Sequence, residues 1–168
     1  QSEHEFMNVN CGIMDQYVIS TAKANTAELL DCAKIEHEYV PLNLGDYKFV
    51  VMNTKKKREL ADTKYNERRA ECEKGLEMLK AAGVDVPNLC SLTVEQFEAN
   101  KSAITDETIL KRVRHVVTEN KRVLDAVEAL KKDDLETLGK LLYESHESLK
   151  NDYEVSCEEL DTLVSMAS

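Results

Sequence analysis

Glycine is scarce in this sequence: five residues of 168, at positions 12, 45, 75, 83 and 139, with no cluster among them. That excludes a glycine-rich loop able to cradle a triphosphate through successive backbone N–H groups. Long apolar runs are lacking as well. No stretch approaches the roughly 20 residues of a membrane-spanning helix, and the first residues have neither the basic nor the apolar region of a signal peptide, so no membrane partner is expected and the cytoplasm is the expected compartment. Positive charge is the minority sign, 22 Lys and Arg against 32 Asp and Glu, for a formal net charge of −10. Such an acidic chain is not expected to bind nucleic acid or an anionic membrane surface. The five cysteines, at 11, 32, 72, 90 and 157, form no C-x-x-C pair and are odd in number. Neither a zinc ribbon nor a complete disulfide framework is suggested, and reduced thiols in a cytosolic protein fit best.

What is present is an ordinary globular balance, 42% hydrophobic and 32% charged, long enough for one or two small domains. Its most informative stretch is Asn10-Cys11-Gly12-Ile13-Met14-Asp15-Gln16. Asn10 can cap a helix, and Ile13, Met14, Tyr17, Val18 and Ile19 supply an apolar face at helical spacing. Asp15 then stands near the first turn, where the helix dipole favours the ionised carboxylate that a proton acceptor needs. Gly12, without a Cβ, lets a ligand approach the backbone. The dipole alone also accounts for an acid at this position, so local chemistry leaves a capping role and a catalytic role both open. Cys11 has no neighbouring His or basic partner and reads as a small buried residue.

Five blocks in order carry a resemblance. They are Cys11 to Gln16, preceded by Glu3, Glu5 and Phe6; Leu29-Leu30-Asp31-Cys32; Val51-Met52-Asn53-Thr54 with Lys64-Tyr65-Asn66-Glu67-Arg68-Arg69-Ala70-Glu71-Cys72-Glu73; Arg114 to Asn120; and Glu144 to Leu149 through Asp152 to Cys157. Together they resemble the galactokinase family of the GHMP kinase superfamily along nearly the whole chain. That family also carries an N-terminal sugar-binding segment, a phosphate loop and a Gly-rich segment near the C-terminus, and none of the three occurs here. The chain is therefore expected to be a piece of a kinase, inactive alone, with residues 1–60 ending the N-terminal kinase domain and 61–168 beginning a mainly helical C-terminal one.

The resemblance implies transfer of the γ-phosphoryl group of ATP to the C1 hydroxyl of α-D-galactose. By it, Asp15 accepts or orients the hydroxyl proton, Gly12 and Asp15 contact the sugar, and Tyr65 offers its hydroxyl. Glu3 occupies the position of the magnesium-binding acid, while its serine partner would belong to the absent phosphate loop; one carboxylate alone rarely holds Mg²⁺, so no ion or nucleotide is expected on this chain by itself. Nucleotide contacts are expected outside the chain. Lys57, in the basic run Lys55 to Arg58, aligns with a basic position near the family's site, against the alternative of a solvated loop. Met7-Asn8 departs from a Val-Gly-like pair. Three other readings stand beside catalysis: a silent sugar sensor, a free-standing interaction module, and an N-acetylgalactosamine kinase.

Residue patterning predicts an α+β fold: a short antiparallel or mixed sheet with helices, followed by a mostly helical portion. After the helix bearing Asp15, residues 27–32, 37–42 and 47–53 read as three strands. The third is apolar enough to be central in a complete protein, so its exposed edge here is a route to self-association. Asp62 or Thr63 is expected to cap a helix with Tyr65 in its first turn and a stripe through Tyr65, Cys72, Leu76 and Leu79, ending near Gly83. Thr93 with Gln96 forms a capping box, and Leu92 with Phe97 a hydrophobic staple. Ile109 through Leu130 recurs at threes and fours, Lys132-Asp133-Asp134 breaks the pattern, and Leu135 through Leu149 resumes it, which predicts two antiparallel helices. Ser156 with Glu159 is expected to cap the last helix. Arg68 and Arg69 read as ion-pair partners of Glu67, Glu71 or Glu73. His115 and His146 lie in or beside apolar stripes and read as structural.

Overall fold

The computed structural model describes residues 12–56 and 61–167, leaving aside the side chains of 61–63. Glu3, Asn10, Cys11 and Lys57 lie outside the described residues. The elements, in order, are α1 (Met14–Thr21), β1 (Thr26–Asp31), β2 (Glu36–Pro41), α2 (Ala61–Ala81), α3 (Val94–Asn100), α4 (Glu107–Lys131), α5 (Leu135–Asn151) and α6 (Glu158–Ala167). They fall into two compact units, one of residues up to 51 with 124–141, the other of 52–123 with 142 onward. Among the described residues no helix is long and apolar enough to cross a membrane.

In the first unit β1 and β2 form an antiparallel hairpin whose register runs from Thr26 opposite Pro41 to Asp31 opposite Glu36. The turn closes because the Asp31 carboxylate accepts the N–H groups of Ala33 and Lys34, at 2.9 and 3.2 Å. Side-chain alternation then divides the hairpin's two faces. Ala27, Leu29 and Val40 meet Val127 and Leu130 of α4 and Leu135 and Leu138 of α5, a small apolar core. Glu28, His37 and Tyr39 face the other way, toward α1.

The second unit has the larger core. Leu79 of α2, Phe97 of α3 and Val113 of α4 have no exposed surface, and Val117 is 1% exposed. α2 can lie close to α4 because of Gly75: a Cβ there would collide with the Val113 side chain. The helix stops in a paired cap in which Val84 N–H bonds to Leu79 O and Gly83 N–H to Lys80 O, with Gly83 at φ 92°. The expected capping box and staple are in place at α3, where Thr93 and Gln96 bond reciprocally and Leu92 and Phe97 are both buried. Asp134 caps α5 by accepting from Thr137 N–H at 3.0 Å. α4 and α5 run antiparallel as expected: His115 meets Ser148, and one turn along Glu119 meets Ser145.

Several boundaries differ from the sequence expectation. Residues 47–53 form no strand; Tyr47, Phe49, Val50 and Val51 are 67–95% exposed. An apolar run becomes a strand only where a neighbour takes its backbone hydrogen bonds and a face is buried, and β1 and β2 pair with each other alone among the described residues. The sheet edge expected there is therefore not formed by that segment. α1 starts at Met14 with Ile13 at the cap position and no side-chain cap, while the expected cap, Asn10, lies outside the described residues. α2 begins at Ala61, ahead of Asp62 and Thr63, which places Tyr65 in its second turn and, at 45% exposure, outside the core stripe. α6 begins at Glu158; the Ser156 hydroxyl donates to Asp161 at 2.6 Å instead of capping with Glu159.

Candidate functional site

Gly12 and Asp15 are together at the start of α1. Both are exposed, and no atom lies within 4 Å of where a Cβ on Gly12 would stand. Backbone and carboxylate are thus open to a ligand. α1 itself buries no residue completely, and its attachments are polar. The Tyr17 hydroxyl is 2.7 Å from His37 Nδ1, the Tyr39 hydroxyl donates to Thr21 O at 2.7 Å, and the Thr21 hydroxyl donates to Glu28 at 2.8 Å. His37 also packs edge-on against both Tyr17 and Tyr39, and the Lys23 ammonium lies 4.1 Å from the centre of the Tyr39 ring.

Tyr65 stands in the other unit, on the exposed side of α2. One turn further, on the inner side, the helix contributes Arg68 to a buried cluster. Arg68 and Arg112 are 4% and 2% exposed, and both bond to Oε2 of Glu71, at 2.9 and 2.8 Å. Arg112 also pairs with Glu154 at 2.7 Å and donates to Asp152 O, while Arg68 donates to Tyr153 O at 2.6 Å. These carbonyls follow the end of α5, where backbone acceptors are left unpaired, and two cations there satisfy them and the helix dipole together. Arg112 beside it holds the Glu154 carboxyl below the usual carboxylate range. The arrangement fixes the 152–154 turn, which includes Glu154 at φ 55°. Sequence alone carries one sign of it: Arg112 sits three residues from Ile109 on an otherwise apolar stripe, a charge where only a paired one can be buried.

The remaining polar residues are structural, as their stripes suggested. Arg68 pairs with Glu67 and Glu71, and Arg69 with Glu73. His115 bonds through Nδ1 to Ser148 Oγ at 2.9 Å and stacks on Tyr153, and burial pushes its imidazole below the ordinary value. His146 lies 3.2 Å from Asp161. In the basic run, Lys56 pairs with Glu159 at 2.7 Å and holds that carboxyl down to about 2. Among the described residues Cys32, Cys72, Cys90 and Cys157 are in no disulfide, and burial pushes the thiol of Cys72 up.

No protein-family profile matches the chain. Individual proteins do. It is 51% identical over 165 residues to the galactokinase of Clostridium perfringens, covering 98% of this chain and 42% of that protein. Against the galactokinase of Clostridium acetobutylicum identity is 52% over 167 residues, covering 99% of the chain and 43% of the relative. The fold agrees with a solved structure of Lactococcus lactis galactokinase complexed with galactose, at TM-score 0.93 and 44% identity over 98% of this chain and 42% of that one. Over nearly its whole length the chain is similar to members of the galactokinase family. It spans about two-fifths of the length of the galactokinases it matches. The α+β fold expected from residue patterning is the fold of this family segment.

Proposed function

We propose that the protein carrying this sequence is a galactokinase that transfers the γ-phosphoryl group of ATP to the C1 hydroxyl of α-D-galactose. The observation that supports this most is the 44% identity, over 98% of the chain, to a galactokinase solved with galactose. In this reading residues 1–60 end the first kinase domain and 61–168 open the second. Asp15 is the catalytic acid–base group: its exposed carboxylate at the head of α1 accepts the proton of the attacking hydroxyl, a transfer that positioning and electrostatics dominate. Gly12 offers its backbone to the sugar and Tyr65 its hydroxyl. Glu3 is the magnesium-binding acid of the whole enzyme, and Lys57 is a contact to phosphate. Among the described residues no group of three or more His, Cys, Asp or Glu side chains is placed to hold a metal ion. ATP with Mg²⁺ supplies the phosphoryl group in the complete protein, which acts in the cytoplasm.

The test is to express the full reading frame that encodes this sequence beside the 168-residue chain, and to assay ATP-dependent phosphorylation of galactose and N-acetylgalactosamine. Activity on galactose in the first and silence in the second is expected. Preference for N-acetylgalactosamine would move the protein to that neighbouring activity, and silence in both would make it a sugar-binding sensor. In the active protein, Asp15→Asn should abolish turnover while leaving galactose affinity largely intact; retained turnover would remove Asp15 from the mechanism.

A further inference from the structure

We propose that Tyr17 and His37 are a positioning pair that sets the rotation of α1, and through it the direction in which Asp15 points. The inference rests on the galactokinase reading for its consequence and on local geometry for its substance. α1 has eight residues, no side-chain cap at its start and no fully buried side chain; Met14 is 59% exposed and Ile19 83%. An apolar face does not seat it. Two polar ties converge on its last residue, Thr21, one to Glu28 of β1 and one from Tyr39 of β2. They pin the end of the helix. The Tyr17–His37 bond, at 2.7 Å, lies one turn closer to the head of the helix, toward Asp15, and supplies a second fixed point.

Residues two apart on a helix project about 200° from each other, so Tyr17 reaching toward the hairpin places Asp15 on the opposite, solvent side, where it is found. With side-chain tips about 5–6 Å from the helix axis, a rotation of roughly 10° moves a tip by about 1 Å. A displacement of that size at a reacting group can cost about 100-fold in rate. His37 is in turn held by its strand and by the rings of Tyr17 and Tyr39, with Glu28 Oε1 at 3.6 Å from the same Nδ1. The imidazole is therefore a fixed point on the sheet, and Tyr17 is the arm that reads it.

The experiment uses the product of the full reading frame and the variants Tyr17→Phe, His37→Phe, the double variant Tyr17→Phe/His37→Phe, and His37→Asn, whose amide can stand near the position of Nδ1. Each single Phe variant is expected to lower kcat for galactose phosphorylation about 10- to 100-fold with KM changed little. The double variant should be no worse than either single one, because both remove the same bond, and His37→Asn should restore most of kcat. Unchanged kcat in the single variants, multiplicative losses in the double, or a loss that follows Tm and is shared by the Asn variant would overturn the pairing. Amide hydrogen exchange is measured on the same proteins: residues 14–21 should exchange faster in both Phe variants while β1 and β2 do not, with protection restored in His37→Asn. If the unsubstituted protein does not phosphorylate galactose, the assigned reaction fails while the exchange result still decides whether the pair orients α1.

Discussion

The seat of α1 and the core around Phe97 solve the same problem in opposite ways. Phe97, Leu79 and Val113 are fully removed from water by α2, α3 and α4, so position there is set by close packing. α1 buries nothing completely and is tied to its hairpin by hydroxyl and imidazole hydrogen bonds. Packing is worth more free energy, whereas a few directed bonds fix an angle with less. The acid proposed to do chemistry lies on the element held by bonds, and Tyr65, proposed only to touch the sugar, lies on a helix anchored in the dry core. A site built this way is sensitive to small polar changes near Asp15 and tolerant of them near Tyr65.

The widest separation between the two regions should come from Phe97→Ala. Loss of a fully buried aromatic side chain typically costs about 3–5 kcal/mol, and the shift should appear in the urea midpoint of the helical unit. A loss under about 1 kcal/mol would mean the pocket collapses and the core is softer than its burial indicates. Arg112→Ala comes next, at about 3 kcal/mol, since it leaves Glu71 with one partner fewer and the Asp152 carbonyl unpaired in a partly buried setting. Arg112→Lys should recover only part of it, because an ammonium cannot reproduce three divergent contacts. On the other side of the comparison, Tyr39→Phe removes only the bond to Thr21 O and should cost about 1 kcal/mol in stability while accelerating amide exchange across α1. A cost as large as that of Phe97→Ala would erase the distinction between the regions.

The same division decides what the sequence reveals. The dry core is written in periodicity, so the stripe of α4, the break at Lys132 to Asp134, the capping box at Thr93 and the glycine stop at Gly83 could all be read in advance. Boundaries set by tertiary partners could not. Tyr47 to Met52 has strand composition without a neighbouring strand, and Ser156 has capping chemistry that its bond to Asp161 diverts. Asp15 and Gly12 stand out in the sequence as candidates through their motif, and both are exposed at the head of α1. The ties behind them do not, because Tyr17 and His37 are 20 residues apart and nothing in either one's own neighbourhood points to the other. Arg68 and Arg112 met the same limit: charge pairing along one helix is visible, but a shared Glu71 and two backbone carbonyls beyond α5 are products of the fold.

The smallest effect tests the buried side of the comparison by proton linkage. Burial lowers the imidazole pKa of His115 in the folded chain, so between that value and the unfolded one, near 6.5, the unfolded chain holds a proton that the folded chain does not. Stability from this group is therefore full above about pH 6.5 and is lost as pH falls below it, continuing down to the folded value. For one such group the loss between pH 7 and pH 6 is at most about 0.7 kcal/mol. His115→Asn, which can keep a hydrogen bond to Ser148 and does not titrate, should remove that slope whatever it does to absolute stability. Unfolding free energies of both proteins at pH 7, 6.5 and 6 give the difference directly, and the other histidines cancel in it. Parallel curves would mean that water reaches His115 in the folded chain, and the seam between α4 and α5 would then be as wet as the seat of α1.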